Sequence, residues 1–442
     1  MLETLREAER YLDGLIDLER RADFDYESLG LARIEALLAA IGEPQKGLAC
    51  VHVAGSKGKG ATTLAGAALL RAAGRRSGSF TSPHLESWRE RFQIDGEPVG
   101  EATLLAGLRR IRPAVDRLRA DPRLRPSFFD VSTALALELF RDAGIEWAAV
   151  EVGLGGRLDS TNRVESRVSV ITGIQLEHTD KLGSTLSRIA REKAGILRRG
   201  VPAVVGPLEP EARRTIEGRA RELGIRLRHV PAPEVRATPE GLSFRLADGR
   251  PLSVPLLGAH QALNLALAVE SVETALERRL DARELDALRG LSLPARIERM
   301  GGAILDCSHT PDSVRALRRA LDDAWPGRRW TLGLCVSRDK DVDRMLAELA
   351  PRVRACVVSA AEPTRSLDPH ELAERARAAG IETVHVEPDP LEALRRTRDS
   401  ARPDELVVLT GSVYFAGAVR AELRRLSSAG EAESGSPAGG DR

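Results

Sequence analysis

Residues 51–71 hold an apolar run, a loop with three glycines and two lysines, and a helix-forming stretch, in unbroken succession. The run is Val51-His52-Val53-Ala54. The loop is Gly55-Ser56-Lys57-Gly58-Lys59-Gly60, and Ala61, Thr62 and Thr63 lead into the helical residues 64–71. A chain that passes this way from buried strand to helix is building a parallel α/β unit. Glycines let backbone N–H groups approach an anion, the helix N-terminus adds a favourable dipole, and a lysine brings a point charge. Residues 55–62 therefore read as a phosphate-binding loop, with Lys59 as the point charge. The Walker spacing Gly-x-x-x-x-Gly-Lys-Ser/Thr is not met, because Gly60 follows Lys59. A glycine-rich turn alone is often only a turn. The lysine and the flanking strand and helix set this one apart.

The same alternation continues along the chain. Apolar residues 50–54, 147–152, 303–306 and 405–409 each adjoin a helical pattern, at 61–73, 132–142, 312–321 and 413–425. A length of 442 residues exceeds one ordinary core, so two domains are expected. Helical stretches at 261–276 and 282–289 precede Leu293-Pro294, and a fresh strand–helix series follows. The boundary is placed there, with residues 1–293 as a first domain that carries the phosphate-binding loop and 294–426 as a small Rossmann-like domain. Residues 427–442 are mostly Ser, Gly, Glu and Ala, and are expected to be disordered.

Net charge is +1, from 66 basic and 65 acidic residues, so nothing draws the whole chain to nucleic acid or anionic membrane. Clusters such as Arg75-Arg76 and Arg198-Arg199 read as solvated faces. No apolar run approaches the roughly 20 residues of a membrane helix, and residues 1–20 read as an amphipathic helix rather than a signal peptide. Cys50, Cys307, Cys335 and Cys356 lack paired spacing and read as buried thiols of a reducing cytoplasm. Small-molecule partners, a cytoplasmic location and a monomeric chain are the expectation.

Residues 52–63 resemble the phosphate loop of the folylpolyglutamate and dihydrofolate synthases, within the Mur ligase superfamily. Members read Gly-Thr-Asn-Gly-Lys-Gly-Ser or a close variant. Ala61 departs, since the family usually has a hydroxyl there, and Thr62 or Thr63 is the candidate substitute. Further motifs follow in family order: Leu29-Gly30-Leu31 with Ile41-Gly42, Thr81-Ser82-Pro83-His84, Phe128-Phe129-Asp130, and Glu151-Val152-Gly153-Leu154-Gly155-Gly156-Arg157-Leu158-Asp159. Glu177-His178-Thr179, Glu192-Lys193-Ala194-Gly195, Gly258-Ala259-His260-Gln261 with Asn264, Ala295-Arg296-Ile297-Glu298, Asp306-Cys307-Ser308-His309-Thr310-Pro311 and Thr410-Gly411-Ser412 complete the series. The fold implied is a P-loop, Mur-ligase-like central domain with a smaller C-terminal Rossmann-like α/β domain.

Some implied residues also have a physical reading. Glu151 ends an apolar strand, where parallel sheets bind ligands, and a hard cation with phosphates needs such a carboxylate. A lone His such as His178 is usually structural, and a helix Lys such as Lys193 usually lies at the surface. The resemblance instead makes His178 a ligand of a second magnesium, Ser82 and Glu151 ligands of the first, and Lys193 a candidate carbamate. It assigns ATP to Gly55, Ser56, Lys57, Gly58, Lys59, Gly60, Ala61, Thr62, Asn264, Arg296, Asp306 and His309. It places Phe128, Arg157 and Asp159 near the substrate. The reaction implied is ATP-dependent addition of L-glutamate to a pteroate or folate carboxylate through an acyl-phosphate, with both synthase activities in one chain. The alternatives are a Mur-type ligase acting on another carboxylate and a non-catalytic nucleotide-binding relative. About 50 residues precede the loop, too few for the sugar-nucleotide domain of a peptidoglycan ligase.

Overall fold

The apolar run forms strand β1, Ala49–Ala54, buried at all six positions, as a strand covered on both faces must be. The computed structural model describes residues 2–16, 26 and 29–434, without the side chains of 429–434. β1 belongs to an eight-stranded sheet with β2 (Ser77–Phe80), β3 (Phe92–Ile94), β4 (Glu97–Pro98), β5 (Trp147–Glu151), β6 (Glu165–Ile171), β7 (Ala203–Val205) and β8 (Leu227–His229). The order is β4-β3-β2-β5-β1-β6-β7-β8. The six strands from β2 to β8 run parallel, and β3 and β4 add an antiparallel edge.

Val53 of β1 stands opposite Glu151 of β5 on one side and Val170 of β6 on the other. The chain leaves β1 toward β2 and leaves β5 toward β6, in opposite directions across the sheet. Such a switch point opens a crevice beyond the C-terminal strand ends. The helix Phe128–Asp142 begins earlier than residue 132, because Ser127 and Asp130 form a capping box.

Two units, each with its own sheet, make up the chain. The first holds residues up to Glu234, Arg245–Leu252 and Gln261–Leu291. The second holds Val235–Phe244, Ser253–His260 and the chain from Ser292 onward. The crossing at Ser292 lies beside the expected boundary, but two earlier segments also join the second unit. They carry most of a small sheet of β9 (Val235–Thr238), β10 (Gly241–Arg245) and β11 (Pro251–Val254).

The second unit's main sheet contains β12 (Glu298–Met300), β13 (Ala303–Leu305), β14 (Trp330–Leu334), β15 (Val353–Val358), β16 (Thr383–Val386) and β17 (Leu406–Thr410), in the order β12-β13-β17-β14-β15-β16. All but β12 are parallel. The last helix, Val413–Ser434, runs into the stretch expected to be disordered. Ser427 helps hold it there: its hydroxyl accepts from the Gly301 N–H at 2.7 Å and donates to the Leu423 carbonyl. Residues 435–442 lie outside those described. The expected N-terminal helix spans Leu5–Asp13, and residues 1 and 17–20 of that reading also lie outside the description. All four cysteines are buried, and none is in a disulfide. Among the described residues no helix is long and apolar enough to cross a membrane.

Candidate active site

The loop after β1 requires its glycines. Gly55 and Gly58 have φ of 152° and 84°, a region that L side chains avoid. A Cβ at Gly55 would lie 1.9 Å from Thr172 Oγ1, and one at Gly58 would lie 2.1 Å from Asn264 Oδ1. The loop is tied to the segment after β6. Thr172 Oγ1 donates to the Lys57 carbonyl at 2.6 Å, the Ser56 N–H donates to the Gly173 carbonyl at 2.9 Å, and the Gln175 N–H donates to Ser56 Oγ at 2.9 Å. Gly58 caps the helix Lys59–Ala72, so the helix start and its unpaired N–H groups face the loop.

Thr62 and Thr63 do not replace the hydroxyl missing at Ala61. Both are fully buried. The Thr62 hydroxyl donates to the Asn264 carbonyl at 3.3 Å, and its N–H donates to the Gly58 carbonyl. Thr62, expected among the nucleotide contacts, thus lies beneath the loop. Asn264 is buried at the same spot, its amide donating to Gln261 Oε1.

Glu151 is buried at the C-terminal end of β5, and its Oε2 accepts the Ser82 N–H at 3.0 Å. Gly60, the residue that breaks the Walker spacing, packs against this carboxylate: a Cβ there would lie 3.3 Å from Oε2. Lys193 is 2% exposed rather than at the surface. Its Nζ donates to the Gly55 carbonyl and to Glu177 Oε1, both at 2.9 Å. The Gly55 carbonyl also accepts from Lys59 Nζ at 3.1 Å. Burial pushes Lys193 down to about 8, against the pull of Glu177, and Lys59 adds to the lowering. Burial acts to raise Glu177, but the charges of Lys193 and Lys59 outweigh it and hold the carboxyl below its usual range. His178 adjoins this pair and caps a short helix with a left-handed backbone, φ 47°, unusual for a residue with a side chain. Lys59, Gly153, Glu177, His178 and Lys193 line one small cleft. A larger cavity of about 570 Å³ lies elsewhere in this unit, beside β8. Its charged groups pair with one another, as in Arg228–Glu270 and Arg250–Glu273.

The glycine-rich segment after Glu151 is braced from inside. Asp159 is buried and accepts from the N–H groups of Leu154 and Thr161 and from the Thr161 hydroxyl. Arg157 Nε reaches both oxygens of Glu192 at 3.1 Å. These two residues, expected beside the substrate, organise the loop. Phe128 is buried under the Arg91 guanidinium, 5.0 Å from the ring centroid. Its neighbour Phe129 is the ring nearer the cleft: a Cβ at Gly153 would lie 2.6 Å from it.

Relatives match the chain over most of its length. The dihydrofolate synthase/folylpolyglutamate synthase of Mycobacterium tuberculosis is 35% identical over 441 aligned positions, covering 88% of this chain and 89% of that one. The chain belongs to the dihydrofolate synthase/folylpolyglutamate synthase family. The folylpolyglutamate synthase of Lacticaseibacillus casei is 33% identical, with 88% and 94% covered. Residues 295–413 match the Mur ligase, glutamate ligase domain. The M. tuberculosis folylpolyglutamate synthase structure with ADP and AMPPCP aligns at TM-score 0.84 and 33% identity, covering 95% of this chain and 98% of that one. The Escherichia coli FolC structure with DHPP and ADP aligns at TM-score 0.80 and 29% identity, covering 96% and 98%.

In the second unit the family motifs bring Arg296, Asp306 and His309 together. Asp306 is buried and accepts the N–H groups of Ile297 at 3.0 Å and Ser308 at 2.7 Å. His309 Nδ1 lies 2.8 Å from the Cys307 carbonyl, and the Arg296 guanidinium rests against Cys307 Sγ. Thr310 forms a capping box with Ser313 for the helix Pro311–Ala324. Sequence reasoning missed Thr172 and Gln175, which no spacing marks, and within the motif Phe128-Phe129-Asp130 it singled out Phe128 rather than Phe129.

Proposed function

We propose that this chain joins L-glutamate to the carboxylate of a pteroate or folate, using ATP and an acyl-phosphate, and that it accepts both dihydropteroate and tetrahydrofolate. The observation that carries the reading is the convergence of Lys59, Glu151, Glu177 and Lys193 on one glycine loop at the ends of β1, β5 and β6. Relatives named for both synthase activities support the double substrate range.

A carboxylate does not react with an amine until it is activated. The N–H groups at the helix start and the Lys59 ammonium hold the phosphates of ATP, once Lys59 leaves the Gly55 carbonyl. The Glu151 carboxylate and Ser82 form a hard oxygen set at a strand end, and His178 stands beside Glu177. Among the described residues no three His, Cys, Asp or Glu side chains form a metal cage. That donor set suits magnesium, which takes most of its ligands from phosphates and water. Glu151 and Ser82 would hold one magnesium ion and His178 a second, and these would supply charge compensation for the transferring phosphoryl group. Lys193 as an amine neutralises Glu177. As a carbamate it would be a second anion in the cleft. The glutamate amine attacks the activated carboxyl carbon and phosphate leaves. Gly55, Ser56, Lys57, Gly58, Gly60, Ala61 and Asn264 shape the nucleotide side of this unit, and Arg296, Asp306 and His309 are assigned nucleotide contacts from the second. Arg157 and Asp159 hold the loop beside which Phe129 offers a flat ring to the pterin. The enzyme acts as a cytoplasmic monomer on small molecules.

The test is ADP release with glutamate and either dihydropteroate or tetrahydrofolate, with a UDP-muramoyl substrate as control. Turnover with both pterins is expected. Turnover with one alone removes the double range, and turnover with the muramoyl substrate alone replaces the reading.

A further inference from the structure

Six non-glycine residues among those described have φ in the left-handed region, and two of them flank Arg296: Ala295 at 50° and Ile297 at 56°. For a β-branched residue this is a genuine outlier, and such backbone persists only where its surroundings impose it. Three hydrogen bonds do so. The Ala295 N–H donates to Glu298 Oε2 at 2.9 Å, the Cys307 N–H donates to the Ala295 carbonyl at 3.1 Å, and the Ile297 N–H donates to Asp306 Oδ2 at 3.0 Å. Glu298 is itself gripped. Arg420, on the helix Val413–Ser434, donates from Nε to Oε2 at 2.9 Å and from its terminal nitrogen to Oε1 at 2.7 Å. Both side chains are only 12% exposed, so this two-point, charge-assisted contact is shielded from water. Ala295 and Ile297 are buried while Arg296 between them is exposed. The two left-handed residues therefore turn Arg296 alone outward.

We propose that Glu298, gripped by Arg420, is a positioning residue that sets the backbone from which Arg296 reaches its ligand. The inference rests on the reading of Arg296 as a nucleotide contact. Glu298 serves the strained turn through a single carboxylate: one oxygen holds the Ala295 N–H, and both are fixed in place by the last helix. Without the carboxylate, Ala295 relaxes to ordinary backbone and the guanidinium loses its fixed origin.

The experiment measures KM for ATP and kcat for Arg296→Ala, Glu298→Ala, Glu298→Gln, Arg420→Ala and the double variant Arg296→Ala/Glu298→Ala, with thermal unfolding of each. Arg296→Ala and Glu298→Ala are each expected to raise KM for ATP about tenfold, with kcat changing less. The double variant should match Arg296→Ala, because nothing remains to be positioned. Glu298→Gln, which still accepts the Ala295 N–H, should recover part of the loss, and Arg420→Ala should show part of it. A normal KM in Arg296→Ala overturns the nucleotide reading and this inference with it. A raised KM in Arg296→Ala with a normal KM in Glu298→Ala, or a double variant whose effects add in full, overturns the inference alone. If Glu298→Ala does not fold, Arg420→Ala takes its place in the same cycle with the same outcomes.

Discussion

Gly60 lies against the carboxylate of Glu151, close enough that a Cβ would come within 3.3 Å of Oε2. The glycine that breaks the Walker spacing is therefore the one that leaves room for the acid at the end of β5. Gly60 sits in the first turn of the helix Lys59–Ala72, where alanine is favoured over glycine by up to about 1 kcal/mol. Gly60→Ala should fold with equal or higher thermal stability. It should lose about tenfold in ADP release, because displacing a catalytic group by a fraction of an ångström is costly to rate. A variant that is both more stable and fully active would contradict the contact's role.

The Thr172 hydroxyl holds the Lys57 carbonyl at 2.6 Å and fills the space a side chain at Gly55 would need. Thr172→Val keeps the shape and leaves that carbonyl without its donor, at a cost of about 1 kcal/mol. KM for ATP should rise about fivefold, and Thr172→Ser should restore it. Equal KM values for the valine and serine variants would remove Thr172 from the loop's support.

The alternation of apolar runs and helical patterns was enough to read the α/β architecture, because central parallel strands such as Ala49–Ala54 are buried on both faces and so apolar at all positions but His52. Gly55, Gly58 and Gly60 were legible as a tight turn from strand to helix, which the fold forms between β1 and the helix Lys59–Ala72. What lay beyond the sequence was tertiary. Lys193 reads as a surface helix residue until the fold buries it against Gly55 and Glu177. Asp159 reads as a substrate contact, yet its oxygens cap the turn at Ser160–Arg163. Thr62 reads as a loop hydroxyl, yet the helix Ala259–Leu276 supplies the carbonyl that takes it. The left-handed backbone at Ala295 and Ile297 has no signal in residues of those types.

Two buried groups in contact through Thr161 give opposed pH dependences. Burial lowers His52 from 6.5 to about 3 and raises Asp159 from 3.8 to about 6. His52 Nε2 lies 2.9 Å from Thr161 Oγ1, which donates to Asp159. The unfolded chain takes up a proton at His52 before the folded one does. The stability tied to His52 is therefore whole above pH 6.5 and is lost as the pH falls toward about 3. The contribution of Asp159 is whole below pH 3.8 and is lost as the pH rises through about 6. Asp159→Asn removes the second dependence. Its unfolding free energy should fall on acidification more steeply than that of the parent, by up to about 1.4 kcal/mol per pH unit between those limits. Denaturant titrations over a pH series check this, and parallel curves would refute it.

Carbamate formation at Lys193 needs its neutral amine, and a pKa near 8 makes that form accessible. Activity should fall in buffer freed of carbon dioxide and return when it is restored. At fixed dissolved carbon dioxide, the recovery should grow as the pH rises through about 8. Intact mass under gentle conditions should show the gain of one carbon dioxide, absent from Lys193→Ala. An unmodified mass with activity indifferent to carbon dioxide would rule the carbamate out.

In the proposed reaction the pteroate carboxylate is phosphorylated before glutamate attacks it. Dihydropteroate carrying heavy oxygen in its carboxylate, supplied with ATP and L-glutamate, tests this directly. The phosphate released should carry one labelled oxygen for each amide bond formed. Unlabelled phosphate, or label found in the nucleotide instead, would contradict it.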